Sequence, residues 1–355
     1  MTRRSFLTAC AGCVGVRSLQ RQTAGQPSPG ALPGRVAGLR AVQGLPAEIV
    51  GAFRDPIAFQ QASSGQYFVF DMRGHSVSGI DAAMTGSWPI VKIGGEAGRV
   101  LEPTAFALAA NGTFVIADRP GARERIQWFG PGGALLGGFT LPGRPLETVS
   151  LNGIVLNGIG SLQFSGHSVF INQPETGALV SEYSMTGWVI RTFGTLRPTG
   201  HEDDRDVHLS LNAGLPLINP RGGFYFVFQT GVPVFRKLDD EGRLVFERHV
   251  EGPELDPIVN NLPNTWPRRK GAGDRLLPIV PPVIRTAAVD AAGRLWVSMA
   301  GVPFTYVYDA QGERVGVVQF RAAGIVMPAG LFFAPDGRLL VAPGCYIFDT
   351  RGVAR

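Results

Sequence analysis

One turn signature recurs along this chain and restricts its fold more than any other feature. An apolar or aromatic residue is followed by Asp, Ser or Gly, then by two variable residues and Gly. It reads Phe129-Gly130-Pro131-Gly132-Gly133, Tyr183-Ser184-Met185-Thr186-Gly187, Leu238-Asp239-Asp240-Glu241-Gly242, Tyr308-Asp309-Ala310-Gln311-Gly312 and Phe348-Asp349-Thr350-Arg351-Gly352, with a looser copy from Ile80-Asp81 to Gly86. Asp or Ser holds the turn backbone through its side chain, and Gly takes the left-handed conformation that closes a hairpin. A second turn precedes each of these and ends at Gly65, Gly112, Gly166, Gly222, Gly293 or Gly337. A short β-rich run follows every one: Tyr67–Phe70, Phe114–Ala117, Val169–Ile171, Phe224–Phe228, Leu295–Ser298 and Leu339–Val341.

Such runs suit a pleated surface buried on both faces, and a lone four-stranded unit cannot cover both of its own faces. Units of roughly 40 to 70 residues must therefore stack. Six of them closing radially predict an all-β, six-bladed β-propeller of four-stranded antiparallel blades. The last unit supplies only three strands, at Gly330–Ala334, Leu339–Ala342 and Cys345–Asp349, while Arg35–Val42 belongs to no unit. That N-terminal strand is expected to complete the last blade.

The segment from Pro103 through Asn111-Gly112 to Ala117-Asp118, followed by Arg125-Ile126-Gln127-Trp128-Phe129, resembles an NHL repeat. The repeat's pattern is Pro, an apolar strand, a Gly turn, a strand ending Ala-Asp, then Arg-Ile-x-x-Phe. Weaker copies run from Pro328 to Asp349 and from Thr286 to Asp309. The resemblance implies a six-bladed propeller and leaves the activity open.

Hydrophobic residues make up 45% of the 355 residues and charged residues 17%, which excludes intrinsic disorder. The net charge of +5 would suit a nucleic-acid binder if it lay on the folded body. It does not, because six arginines and no acidic residue fall within residues 1–47. Setting those six aside leaves 27 basic against 28 acidic residues, and the only basic cluster beyond them is Arg268-Arg269-Lys270. No nucleic-acid partner is expected.

The start, Thr2-Arg3-Arg4-Ser5-Phe6-Leu7 and the mildly apolar stretch to Val16, resembles a twin-arginine export signal. It implies an exported protein of the periplasm or cell envelope, with residues 1–34 as signal and flexible leader and 35–355 as the propeller. Leu7-Thr8-Ala9-Cys10 also looks like a lipobox, so membrane attachment is expected only if Cys10 is lipidated. Cys10 and Cys13 fall in the leader, and Cys345 alone cannot form an intramolecular disulfide.

In a propeller, the connections between blades and those between the second and third strands of a blade meet at one mouth of the axial channel. Arg73 and His75, after Asp71, lie on such a connection in the first blade, and Asp118 and Arg119 lie at the equivalent place in the second. Asp71 and Asp118 suit loop capping, whereas the arginines suit an anionic ligand or partner. Residues 251–284 form an insertion longer than a turn requires, read as a lid or partner contact, with Trp266 beside Arg268 able to grip an acidic or sugar-like ligand. Asp55, Glu102 and Asn157 precede the inner strands of the first three blades, and Asn212 lies near the fourth. The first three are similar in kind to the oxygen ligands with which gluconolactonase- and paraoxonase-type propellers hold a divalent cation, which implies calcium. The run His201–His208 offers both metal-ligand chemistry and the character of a solvated loop.

No Gly-x-Ser-x-Gly elbow or His-Glu-x-x-His motif is present, and the one Cys-x-x-Cys pair, Cys10 and Cys13, falls in the leader rather than in the folded body. Histidines clustered at the channel, as in amidating lyases built on NHL repeats, cannot be placed in register either. The preferred reading is an exported, non-enzymatic propeller that binds a protein or small-molecule ligand at the channel mouth, with no cofactor. The alternative is a calcium-dependent lactonase or hydrolase using Asp55, Glu102 and Asn157.

Overall fold

Each expected β-rich run forms a strand, and each expected upstream turn closes on a glycine with positive φ, from 80° at Gly293 to 104° at Gly222. The looser copy of the hairpin signature differs. There Met84 takes the left-handed position (φ 60°), held by Asp81, whose carboxylate accepts the Thr85 N–H at 3.0 Å. The computed structural model describes residues 36–141, 149–151, 154–156, 160–270 and 276–353, all within the unit Pro33–Arg355. The export-signal residues, including Cys10, lie outside the described residues.

Strand β1 (Ala37–Gly44) and helix α1 (Ala47–Val50) come first. A four-stranded antiparallel sheet follows, β2–β5 (Pro56–Gln61, Tyr67–Asp71, Ser76–Ile80, Ser87–Val91), then a second, β6–β9 (Ala105–Leu108, Phe114–Asp118, Arg125–Phe129, Leu135–Thr140). A small hairpin, β10–β11 (Val149–Leu151, Ile154–Leu156), leads to the third sheet, β12–β15 (Leu162–Phe164, Ser168–Asn172, Ala178–Ser184, Val189–Thr195). Helix α2 (Arg205–Leu211) precedes the fourth, β16–β19 (Gly214–Ile218, Phe224–Phe228, Val234–Leu238, Leu244–His249). Helix α3 (Asp256–Asn260) and the hairpin β20–β21 (Arg268–Lys270, Leu276–Pro278) occupy the insertion. The chain ends with β22–β25 (Ile284–Val289, Leu295–Met299, Thr305–Tyr308, Arg314–Arg321), a short β26 (Ile325–Val326) beside β25, and β27–β29 (Gly330–Phe333, Leu339–Ala342, Tyr346–Phe348).

The last seven long strands and β1 form one continuous path, β22-β23-β24-β25-β1-β29-β28-β27. Residues Ala41, Gln43 and Gly44 pair antiparallel with Phe348, Ile347 and Tyr346, while Ala37–Arg40 pair parallel with Val318–Arg321. The sequence reading placed this strand at Arg35–Val42 against the last sheet alone. The structure shifts it toward the C-terminus and adds a second partner, so β1 covers two open edges at once.

Burial follows position within each sheet. The second strands β3, β7, β17, β23 and β28 are buried along their whole length, whereas the fourth strands β5, β9, β15 and β19 are largely exposed. Alternate side chains of a second strand point to opposite faces, so complete burial requires a neighbour on each side. Those neighbours are the adjacent sheets. Phe68 and Phe70 of β3 join Phe106, Phe114 and Phe129 in one cluster, and Phe114 stacks on Phe129 with centroids 5.2 Å apart. Equivalent clusters join the second sheet to the third, the third to the fourth, and the fourth to β22–β25. A further one joins β22–β25 to β27–β29 through Leu39 and Ala41. The last packs Leu340, Ala342 and Ile347 against Phe59, Tyr67 and Val69, so the series returns to its beginning.

Candidate functional site

The first strands of the sheets turn inward and surround one cavity of about 470 Å³. Its wall takes residues from β2 (Ile57–Gln60), β6 (Ala105, Phe106), β12 (Leu162, Gln163), β16 (Leu215–Leu217), β22 (Arg285–Ala287) and β27 (Gly330–Phe332). A smaller space of about 140 Å³ shares Gln60, Gln163, Leu217, Ala287, Leu331 and Phe332 with it. The two are therefore consecutive parts of one axial channel.

Most polar groups on the wall are neutral and held by the backbone. Gln60 accepts the Leu108 N–H at 3.0 Å, and the Ser161 hydroxyl donates to the Gly214 carbonyl at 3.2 Å. Gln229, which is buried, donates to the Arg285 carbonyl at 3.3 Å. Charge enters only with Arg73, Arg285 and Asp55. Arg73 Nε lies 3.5 Å from the Asp55 carboxylate and its side chain is 76% exposed, so that pair is weak and open to competition.

Of the residues singled out in the sequence, Arg73 and Asp55 line the cavity; His75, Asp118, Arg119, Trp266, Arg268 and Glu102 do not. His75 occupies a left-handed turn position (φ 51°), and its buried Nδ1 meets no partner among the described residues. Asp118 is buried and accepts two bonds from Arg125, at 2.9 and 2.6 Å, and one from the Leu101 N–H at 3.0 Å. Asp71 likewise accepts the N–H groups of Arg54, Asp55 and Gly74. Both carboxylates anchor loops, as their position at the end of a second strand suggested.

Glu102 and Asp55 each face an arginine. Glu102, itself left-handed (φ 50°), pairs with Arg119 at 3.2 Å. Asn157 lies outside the described residues. Among the described residues no group of three or more His, Cys, Asp or Glu side chains is placed to hold a metal ion. Asn212 is fully buried and spans the Arg197 N–H and carbonyl and the His208 carbonyl, a bracing role. The His201–His208 run leads into α2, which Asp204 caps by accepting the Val207 N–H at 3.4 Å; His208 meets the Thr199 hydroxyl at 2.8 Å.

The insertion at 251–284 differs most from expectation. None of its described residues lines the cavity. Instead it grips residues 197–213, a second insertion that connects the third sheet to the fourth and contains α2. Trp266 packs against Val207, Leu211 and Val280, and Arg268 pairs with Asp204 and donates to the Leu276 carbonyl at 3.1 Å. The physical reason is that α2 presents an apolar face, Val207 and Leu211, which this segment covers, so Trp266 is spent on packing rather than held at the channel mouth.

Sequence reasoning missed Arg285, Gln229, Gln60, Gln163, Ser161 and Thr104. For Gln60 and Gln163 the signal was present as polar residues interrupting apolar first strands, as in Phe59-Gln60 and Leu162-Gln163-Phe164. Cys345 is wholly buried, and burial pushes its thiol up to about 12, so it is an inert thiol at neutral pH.

No protein-family model matches the sequence, and no curated protein matches it. Solved structures do. A streptogramin B lyase aligns with a TM-score of 0.50 at 12% identity, over 83% of this chain and 92% of its own. The chain is a β-propeller. A virginiamycin B lyase from Staphylococcus aureus gives a TM-score of 0.49 at 9% identity, covering 81% of this chain and 77% of its own. A gluconolactonase from Xanthomonas campestris gives 0.48 at 15% identity, covering 91% and 97%. At such identities the likeness is one of fold, and this propeller's chemistry has to be argued from its own residues.

Proposed function

We propose that this protein is a six-bladed, exported propeller that binds a small ligand within its axial cavity. Six blades are supported by the six first strands that contribute to the cavity wall, with the eight-strand path taken as two blades sharing β1. Export to the periplasm or cell envelope rests on Thr2–Leu7 and their resemblance to a twin-arginine signal, and residues 1–34 are the proposed leader. The observation that carries the binding reading is the cavity itself. Its volume falls in the range of small-molecule sites, and its walls set scattered hydrogen-bonding groups among apolar ones.

A ligand that binds only the folded form raises the thermal midpoint, by about 2.7 kcal/mol of added stability at one hundred times its Kd. A thermal-shift screen of small organic acids, sugars and amino acids is expected to yield at least one such compound. Its shift should vanish in Ala329→Phe, which narrows the cavity. A shift that survives this substitution would place the site elsewhere, and a screen without any shift would count against the reading.

The calcium-dependent lactonase remains the competing reading and is separated by calorimetry. Because no group of three or more His, Cys, Asp or Glu side chains converges among the described residues and Glu102 is paired with Arg119, calcium is expected to give no binding heat. Tight calcium binding abolished by Glu102→Ala would establish the metal site instead.

A further inference from the structure

We propose that the cavity ligand is a small organic anion whose acidic head is held by Arg285, with Arg73 at the rim; this rests on the cavity-binding reading above and names its ligand class. Arg285 is half-buried on the cavity wall, and among the described residues no carboxylate pairs with it. That sets it apart from Arg197, which also lacks a carboxylate but donates to the carbonyls of Leu211, Thr230 and Val232, and from four arginines that are paired. Arg125, Arg191, Arg236 and Arg294 each meet a carboxylate at 2.6 or 2.7 Å. A guanidinium withdrawn from water without a counter-ion is unfavourable unless another partner arrives, and its planar fork matches the two oxygens of a carboxylate.

Backbone geometry supplies an independent reason. The pairing of β22 with β23 slips between Ile284 and Thr286, so Arg285 sits at a β-bulge. A bulge turns one side chain out of the regular alternation, a device found beside binding sites. Gln229 fixes the bulge by donating to the Arg285 carbonyl at 3.3 Å. Two arginines against Asp55, the one carboxylate on the wall, leave the cavity with an excess positive charge. The wall also includes Phe70 and Phe106, whose rings stack with centroids 5.5 Å apart. An acid with a compact apolar or aromatic body fits both parts.

The test is calorimetric titration of the full chain with phenylacetate and, separately, with phenylacetamide, its neutral isostere, and inorganic phosphate. Phenylacetate is expected to bind at least tenfold more tightly than the amide. Arg285→Gln should abolish that preference, Arg285→Lys should retain part of it, and Arg73→Gln should weaken it less. Because the Arg285 guanidinium has no carboxylate partner among the described residues, the unliganded Arg285→Gln protein should keep its thermal midpoint, which separates loss of the ligand contact from loss of structure.

Equal binding of acid and amide would overturn the anion assignment and leave the cavity reading standing. Undiminished phenylacetate binding by Arg285→Gln would overturn the role of this residue in the same way. Phosphate binding with the same Arg285 dependence but no phenylacetate binding would overturn the organic-acid class. Silence from all three probes would overturn the proposal, and the broader screen with Ala329→Phe would still decide the cavity reading.

Discussion

Removing β1 lowers the thermal midpoint by more than ~10 °C, which for a body of this size corresponds to about 7 kcal/mol at roughly 0.7 kcal/mol per degree. The comparison is between a chain beginning at Val36 and one beginning at Leu45, followed by calorimetry or circular dichroism. The effect is large because β1 has two partners. Its second half closes β29 antiparallel and its first half lies parallel to β25, so its loss uncovers two strand edges. Leu39 and Ala41 also leave the cluster that contains Phe320, Val341 and Phe348, three residues with no more than 1% exposure. Beyond these local losses, the series of stacked sheets opens at this point, and neighbours that support one another lose cooperativity. Equal midpoints for the two chains would show that the sheets hold together without the strand.

The second large effect lies at Arg197. Among the described residues this guanidinium has no carboxylate partner; it donates to the carbonyls of Leu211, at 2.9 and 3.2 Å, Thr230 at 2.6 Å and Val232 at 3.0 Å, and it stacks 4.3 Å from the Phe228 ring centroid. Burial pushes its pKa down to about 10, so it remains a cation at neutral pH. Its bonds fasten the 197–213 insertion to the fourth sheet. Arg197→Ala leaves three carbonyls without this donor, and stability is expected to fall by about 3 kcal/mol, roughly 4 °C in midpoint. Arg197→Lys should recover less than half of the loss, because one ammonium cannot span three carbonyls at these angles. Limited proteolysis is expected to cut first within 197–213 in the alanine variant. A midpoint within one degree of the parent would contradict this bracing role.

Much of the fold was legible because its controlling signals are local. Glycine at positive φ marks the turns, and Asp or Ser beside it fixes the hairpins; from Gly65 to Gly337 the signal and the structure coincide. The fully buried second strands could be read from their unbroken apolar runs, since only stacked sheets bury both faces. The sites were less legible because the same residue types serve two ends. Asp118 and Arg119 occupy the positions where ligands meet propellers, yet Asp118 is tied to Arg125 and Arg119 to Glu102. Trp266 beside Arg268 resembled a binding pair until α2, itself hidden within a charged run, required a cover. Arg285 escaped notice because what distinguishes it is the lack of a carboxylate partner among the described residues, which is not written in the sequence. The parallel pairing of Ala37–Arg40 was missed for a similar reason: the hydrophobic pattern marks a strand without naming its partner.

The claim on which the rest stands is that the sheets form a ring closed on itself by the N-terminal strand. Hydrogen exchange read by mass spectrometry tests it without altering the chain. Amides of Ala37–Gly44 should exchange as slowly as those of Leu339–Ala342, at rates set by global unfolding. Exchange of the 37–44 segment within seconds, while 339–342 stays protected, would mean that the strand is unpaired in solution and the ring open.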